Sequence, residues 1–223
     1  MSINKELTSL ILDADREGAM ELINEWCEEN SINDVVEKVL VPALATLSTI
    51  WDKLLEPPLA PTYVTSRVIH DVMRQVAENL PTDDEEKLGS IVICNIEDDF
   101  HSLGREVVTS FLKANGWRVY DLGNDVPASE LIDKAVEVDA KVVGVSAMML
   151  TTALNIKKVR EEINRRGLNK HIKLAVGGAI FTLRETLIDE VGGDGTCKTA
   201  LGAHELFKSL WAKAEAANSE NEQ

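Results

Sequence analysis

Residues 89–104 read Gly-Ser-Ile-Val-Ile-Cys-Asn-Ile-Glu-Asp-Asp-Phe-His-Ser-Leu-Gly, and this stretch decides the fold. Residues 90–95 (SIVICN) form a short, β-branched apolar run that ends in an acidic loop, the pattern of a strand covered on both faces. A helix is expected to open near Leu103. The alternation repeats downstream. Residues 118–121 (RVYD), 141–145 (KVVGV) and 172–176 (IKLAV) read as further strands, with a short fifth around 195–197. Amphipathic helices are expected near 103–115, 128–138, 152–166, 181–190 and 199–216. Strands alternating with helices imply a five-stranded, doubly wound parallel sheet. Ligands bind such sheets beyond the carboxyl ends of the strands, so function is expected in the loops after Asn95, Val145 and Val176.

Upstream of residue 80 the apolar period is that of helices. Leu7, Leu10, Ile11 and Ala14 start one; Ala19, Met20, Ile23 and Trp26 mark a second that ends near Asn30. Ser31, three residues before Asp34, is placed to cap a third, whose buried face carries Val36, Val39, Leu40, Ala43, Leu44, Leu47 and Trp51, with a kink expected at Pro42. After Pro57-Pro58 a fourth helix runs from Ala60 to Leu80 with Tyr63, Val64, Ile69, Val72 and Met73 inward. Short loops between them predict an antiparallel four-helix bundle. The charged, apolar-poor segment from Pro81 to Gly89 separates the two periods. The chain is therefore expected to be α plus α/β: a helical bundle over 1–82, a linker over 83–89, and a Rossmann- or flavodoxin-like domain over 90–223.

With 23 Lys and Arg against 38 Asp and Glu, the net charge of −15 repels nucleic-acid phosphates and anionic headgroups, so neither nucleic acid nor membrane is an expected partner. The N-terminus MSINKELTSL lacks the apolar core of a signal peptide, and a cytoplasmic location is expected. Cys27, Cys94 and Cys197 are too far apart for a zinc, iron–sulfur or disulfide pattern.

Three loops carry candidate chemistry. In Asp99-Phe100-His101-Ser102-Leu103-Gly104, a carboxylate two residues from a histidine can hold one imidazole nitrogen while the other faces out, as for a metal-ligating or general-base histidine. Alone, the triplet equally describes a surface Asp-x-His at a helix start. The stretch Ser146-Ala147-Met148-Met149-Leu150-Thr151-Thr152 sets hydroxyls at either end of an apolar run, and a strand end followed by a Thr helix cap explains it as well. Gly177-Gly178 lets backbone come close to a neighbour, in a tight turn or against a ligand.

Together these loops resemble the cobalamin-binding domain of corrinoid proteins and methionine synthase. The family signature of D-x-H-x-x-G, S-x-L and G-G is met by Asp99, His101 and Gly104, by Ser146-Ala147-Met148, and by Gly177-Gly178. Residues 115–127 (NGWRVYDLGNDVP) are similar to a further conserved segment of that family. The resemblance spans about 89–202, and more loosely 3–80 as a helical cap. Departures are Met148 for the usual Leu, Leu150 for a frequent Thr, Ser102 for Asp, Glu97-Asp98 where a Gly is common, and 195–199 (GTCKT) for a pattern with Tyr and Asp.

The resemblance implies cobalamin as cofactor, cycling between methylcobalamin and cob(I)alamin, with its dimethylbenzimidazole off cobalt in a slot between strands. It implies His101 as the cobalt ligand, backed by Asp99 and Thr152, with Phe100, Ser102, Leu103 and Gly104 beneath the corrin. Ser146, Met148, Leu150, Gly177, Gly178 and Thr196 would line the slot, and Trp51, Leu59, Tyr63 and Ser66 would contact the upper face. Such a chain is a methyl carrier without catalytic residues of its own. It would serve a substrate-specific methyltransferase, a second methyltransferase using tetrahydrofolate or coenzyme M, and a reductive activator. A cobalamin-binding regulator or storage protein is the alternative, and a mutase subunit, which generally lacks a helical cap, the lesser one. His70, His171 and His204 read as ordinary partly exposed histidines.

Overall fold

The computed structural model describes residues 2–51, 53–54, 58–78, 88–198 and 200–219. It divides into two compact units, 1–81 and 82–223. The linker expected over 83–89 lies almost wholly outside the described residues.

The first unit is helical: α1 (Ile3–Leu12), α2 (Arg16–Cys27), α3 (Ile32–Asp34), α4 (Val41–Trp51) and α5 (Leu59–Glu78). Asp15 caps α2 by accepting from the Gly18 amide at 2.9 Å, and Ser31 caps α3 by accepting from the Asp34 amide at 3.1 Å. Between α3 and α4, Val35–Leu40 winds as a π-helix that carries the chain through without a break. Pro42 explains this. A proline in a regular helix lacks one donor and presses its ring on the carbonyl four residues back; the wider turn, in which the Val41 amide reaches the Val36 carbonyl, absorbs both defects. The expected kink is thus a π-turn.

Leu7, Ile11, Ile23, Val36, Val39, Leu40, Ala43, Leu47, Val64, Val68, Val72 and Met73 are buried in this unit, as the helical period requires. Two expectations fail. Ala14 stands in the turn between α1 and α2 with a positive φ of 59°, and Tyr63 lies 63% exposed because Val64 and Val68 hold the buried face of α5.

In the second unit, β1 (Ser90–Asn95), β2 (Arg118–Asp121), β3 (Val142–Ser146) and β4 (Lys173–Gly177) form a parallel sheet of order β2-β1-β3-β4. The helices are α6 (Ser102–Ala114), α7 (Ala128–Glu137), α8 (Leu150–Arg165), α9 (Ala179–Leu183), α10 (Leu187–Glu190) and α11 (Ala203–Ser219). Alternate strand residues serve opposite faces. Val92, Cys94, Val143, Val145, Leu174 and Val176 pack with Leu131, Ile132, Ile156 and Val159 of α7 and α8. Ile91, Val142 and Ala175 pack with Leu112 of α6 and with Phe207 and Leu210 of α11. Gly144 belongs to the second face, where a Cβ would sit 2.9 Å from the Phe207 ring.

The expected fifth strand is a single bridge between Gly195 and Ala175 among the described residues, so the sheet has four strands. Two backbone bonds make this bridge, from the Asp194 amide to the Leu174 carbonyl and from the Val176 amide to the Gly195 carbonyl. The Leu174 amide that a longer ladder would use donates instead at 2.6 Å to the Asp194 carboxylate, which also pairs with Arg160. The helix expected over 181–190 is two short ones, α9 and α10, interrupted at Arg184 with extended-side backbone angles.

Candidate functional site

Parallel register brings Asn95, Ser146 and Gly177 into one row at the carboxyl edge of the sheet. The chain leaving Asn95 turns through Asp98, whose φ is +68°, and is tied to the loop after β2: the Asp98 amide donates to Asp125 at 2.8 Å and the Glu97 amide to the Val126 carbonyl. Asp99 emerges fully buried in the middle of these loops.

Asp99 organises the site. Oδ1 accepts from the Asn95 side-chain amide at 2.8 Å and from the His101 backbone amide at 3.0 Å, and lies 3.3 Å from His101 Nδ1. Oδ2 accepts from the Met148 backbone amide at 2.8 Å and from the Thr152 hydroxyl at 2.8 Å. Burial alone would raise this carboxyl, but the bonds from Met148, His101, Thr152 and Asn95 outweigh it and hold the group down at about 2. It is a carboxylate at any physiological pH. His101, half exposed at 46%, stands at the N-terminus of α6 with Nδ1 turned to this carboxylate, which leaves Nε2 as its outward nitrogen.

The site thus joins the first two expected loops. Thr152 is not a helix cap, since α8 begins at Leu150 with Met149 before it; its hydroxyl reaches across to Asp99, with the Met149 carbonyl as a competing acceptor at 3.0 Å. Phe100, Met148, Met149 and Leu150 are exposed. Met149 escaped the sequence reading because no motif position marks it. Ser102 opens α6, and Gly104 has open space where a Cβ would be.

The two glycines divide in role. A Cβ on Gly177 would meet nothing within 4 Å, whereas one on Gly178, with φ +117°, would fall 1.9 Å from the Ala147 carbonyl oxygen. Gly178 is demanded by the fold, whereas nothing within the described residues requires a glycine at 177. Ser146 stands half buried at the end of β3, and Thr196 is half buried just past the Gly195 bridge. Trp51, Leu59 and Tyr63 belong to the first unit: Leu59 and Tyr63 are 86% and 63% exposed, and the buried Trp51 indole nitrogen has no partner among the described residues.

Sequence reasoning also missed Asn95 and Arg105. Arg105, buried in the first turn of α6, donates to the Asn95 side-chain oxygen at 2.8 Å and to Asn124. Its Nε lies 2.8 Å from an Asp121 carboxylate oxygen, an ion pair whose N–H points off the line between them. A polar residue closing an otherwise apolar strand was the available signal.

Among the described residues no three His, Cys, Asp or Glu side chains gather as a metal cage, and no helix is long and apolar enough to cross a membrane. Residues 89–203 match the family described as the B12 binding domain. A dimethylamine corrinoid protein of Methanosarcina acetivorans is 30% identical over 92% of this chain and 95% of its own length, and a corrinoid protein of Desulfitobacterium hafniense 29% identical over 96% and 99%. The monomethylamine corrinoid protein of Methanosarcina barkeri superposes with a TM-score of 0.73 at 25% identity, covering 93% of this chain and 98% of that one. With its buried Asp99 behind an outward-facing His101 in the matched segment, the chain belongs to the B12-binding domain family, as a corrinoid protein of the kind found in methyltransferase systems.

Proposed function

We propose that this protein carries a methyl group on cobalamin from one partner methyltransferase to another, with His101 as the ligand beneath cobalt and the benzimidazole tail off the metal. The observation that carries the reading is the Asp99–His101 pair: a buried, ionised carboxylate fixes Nδ1 and presents Nε2 on the exposed side of the loop. Carboxylate contact at one ring nitrogen fixes the tautomer and makes the other a better donor to a metal. The surroundings fit a corrin. An exposed apolar group of Phe100, Met148, Met149 and Leu150 accompanies the imidazole, and Cβ-free space lies over Gly104 and Gly177.

Cobalamin, when bound, supplies a cobalt that accepts and releases the methyl group. This chain's residues bind and orient. Ser146, Gly177 and Thr196, at the carboxyl ends of β3, β4 and the Gly195 bridge, are the proposed walls of the tail slot. Thr152 can give its hydroxyl hydrogen to Asp99 or to the Met149 carbonyl, so the Asp99–Thr152 arm is able to adjust to the charge at His101. Leu59 and Tyr63 are four residues apart on α5 and share a face, and with Ser66 and Trp51 they are proposed to cover the upper side. The protein's proposed partners are a substrate-specific methyltransferase, a second methyltransferase and a reductive activator; the likeness to dimethylamine and monomethylamine corrinoid proteins supports the corrinoid-protein class from which this proposal starts.

Incubated with hydroxocobalamin and passed through gel filtration, the protein should keep stoichiometric corrinoid with a histidine-ligated, base-off spectrum. His101→Ala should retain corrinoid with affinity lowered about 10- to 100-fold and lose that spectrum. An unchanged spectrum in His101→Ala removes it as ligand; failure of the wild-type protein to retain corrinoid removes the carrier reading.

A further inference from the structure

Asn95 and Arg105 lie behind Asp99 on the side away from Thr152, and their bonding leaves little freedom. Asn95 is fully buried at the last position of β1. Its amide hydrogens go to Asp99 Oδ1 at 2.8 Å and to the His101 carbonyl at 3.1 Å, and its oxygen accepts from Arg105 at 2.8 Å. The orientation of this amide follows from chemistry, because an arginine offers only hydrogens and an ionised carboxylate only lone pairs. Only a short side chain with two donors and one acceptor in a plane satisfies all three neighbours. Asp has no hydrogens to give, Leu neither gives nor accepts, and Gln is one carbon too long.

Arg105 in turn is held by groups from another strand. Asp121 ends β2 and Asn124 follows it in the next loop, and both reach the guanidinium, with Glu106 3.8 Å away on α6. The planar fork spans the ends of β1 and β2 and the start of α6 in a way a lysine ammonium cannot. We infer that Asn95 and Arg105 are positioning residues for the proposed cobalt ligand: they clamp both the carboxylate oxygen that faces His101 and the backbone of His101, so that the imidazole is preset toward the corrin before cobalamin arrives. This rests on the proposed role of His101. It assigns the strand β1 side of the site a function that the Asp99–Thr152 arm alone does not cover, since Thr152 touches only the other oxygen.

Asn95→Asp is the sharpest test, because it preserves shape while removing both hydrogens and setting a negative group against Asp99. With hydroxocobalamin at one fixed pH, and well below each variant's melting temperature, the ratio of histidine-on to histidine-off protein is read from the visible spectrum. Asn95→Asp should lower that ratio at least 10-fold, and Arg105→Lys, which keeps the charge and the fold but not the fork, should lower it less, in the same direction. In the protein without corrinoid, amide exchange at residues 99–101 should rise at least 10-fold in Asn95→Asp. A wild-type ratio and wild-type exchange in folded Asn95→Asp overturn the inference; a drop in Asn95→Asp with a wild-type ratio in Arg105→Lys overturns it for Arg105. Should Asn95→Asp not fold, Arg105→Lys alone decides. If His101→Ala leaves the spectrum unchanged, the ligand reading has failed instead, and the exchange data still report whether the clamp holds the loop.

Discussion

Asp99→Asn is expected to lower the stability of the corrinoid-free protein by about 3 kcal/mol at pH 7, measured by urea unfolding with an unchanged slope. The carboxylate is fully buried and receives hydrogen bonds from Asn95, His101, Met148 and Thr152. An asparagine offers one oxygen, and its amide group turns hydrogens toward donors, so two of those bonds become unmatched. The cost should depend on pH. Folding depresses the Asp99 pKa from 3.8 to about 2, so its contribution is complete above the unfolded value and fades as pH falls through the folded one. The gap between wild type and variant should therefore shrink by about 2 kcal/mol between pH 5 and pH 2. A gap that does not change over that range would show the carboxylate is not held ionised by its surroundings.

The neighbouring glycines should behave oppositely. Gly178→Ala is expected to cost about 3 kcal/mol or more, because φ of +117° is open only to glycine and the added carbon would overlap the Ala147 carbonyl oxygen at 1.9 Å. The loops after β3 and β4 would have to part. Gly177→Ala should change apo stability by no more than about 0.5 kcal/mol, since its Cβ meets only open space, yet should weaken corrinoid retention at least 10-fold if the slot passes there. Thermal melts and spectral titration of both variants check this. Stable Gly178→Ala protein would contradict the close approach; full retention by Gly177→Ala would move the slot elsewhere.

What the linear order could reveal was governed by local periodicity. The runs at 90–95 and 118–121 are strands with the expected bounds, and those near 141–145 and 172–176 are shifted by one residue, because β-branched stretches between helices have few other folded uses. The segment at 195–197 pairs with β4 only at Gly195, and the bond from the Leu174 amide to the Asp194 side chain, 20 positions away, leaves no local trace. The π-turn before Pro42 is similar: a proline announces a defect, but the neighbouring helices choose how it is absorbed.

The site follows the same division. Asp99 and His101 are two residues apart, so one loop suffices to bring them together and the sequence alone could propose the pair. The match of 89–203 to the B12 binding domain agrees with that proposal at the level of ligand class. The partners that fix Asp99 come from four places in the chain, Asn95, His101, Met148 and Thr152, and Arg105 adds a second layer from α6. Hydrogen bonds between residues 49 and 53 positions apart depend on strand register and on where α8 begins, and those are settled by side chains packing across the sheet. Residue order therefore determined the strand–helix alternation, the acidic loop and its histidine. Tertiary packing alone decided that the aspartate would be buried, ionised and held on both oxygens, because only packing brings donors from distant loops into the space around one carboxylate.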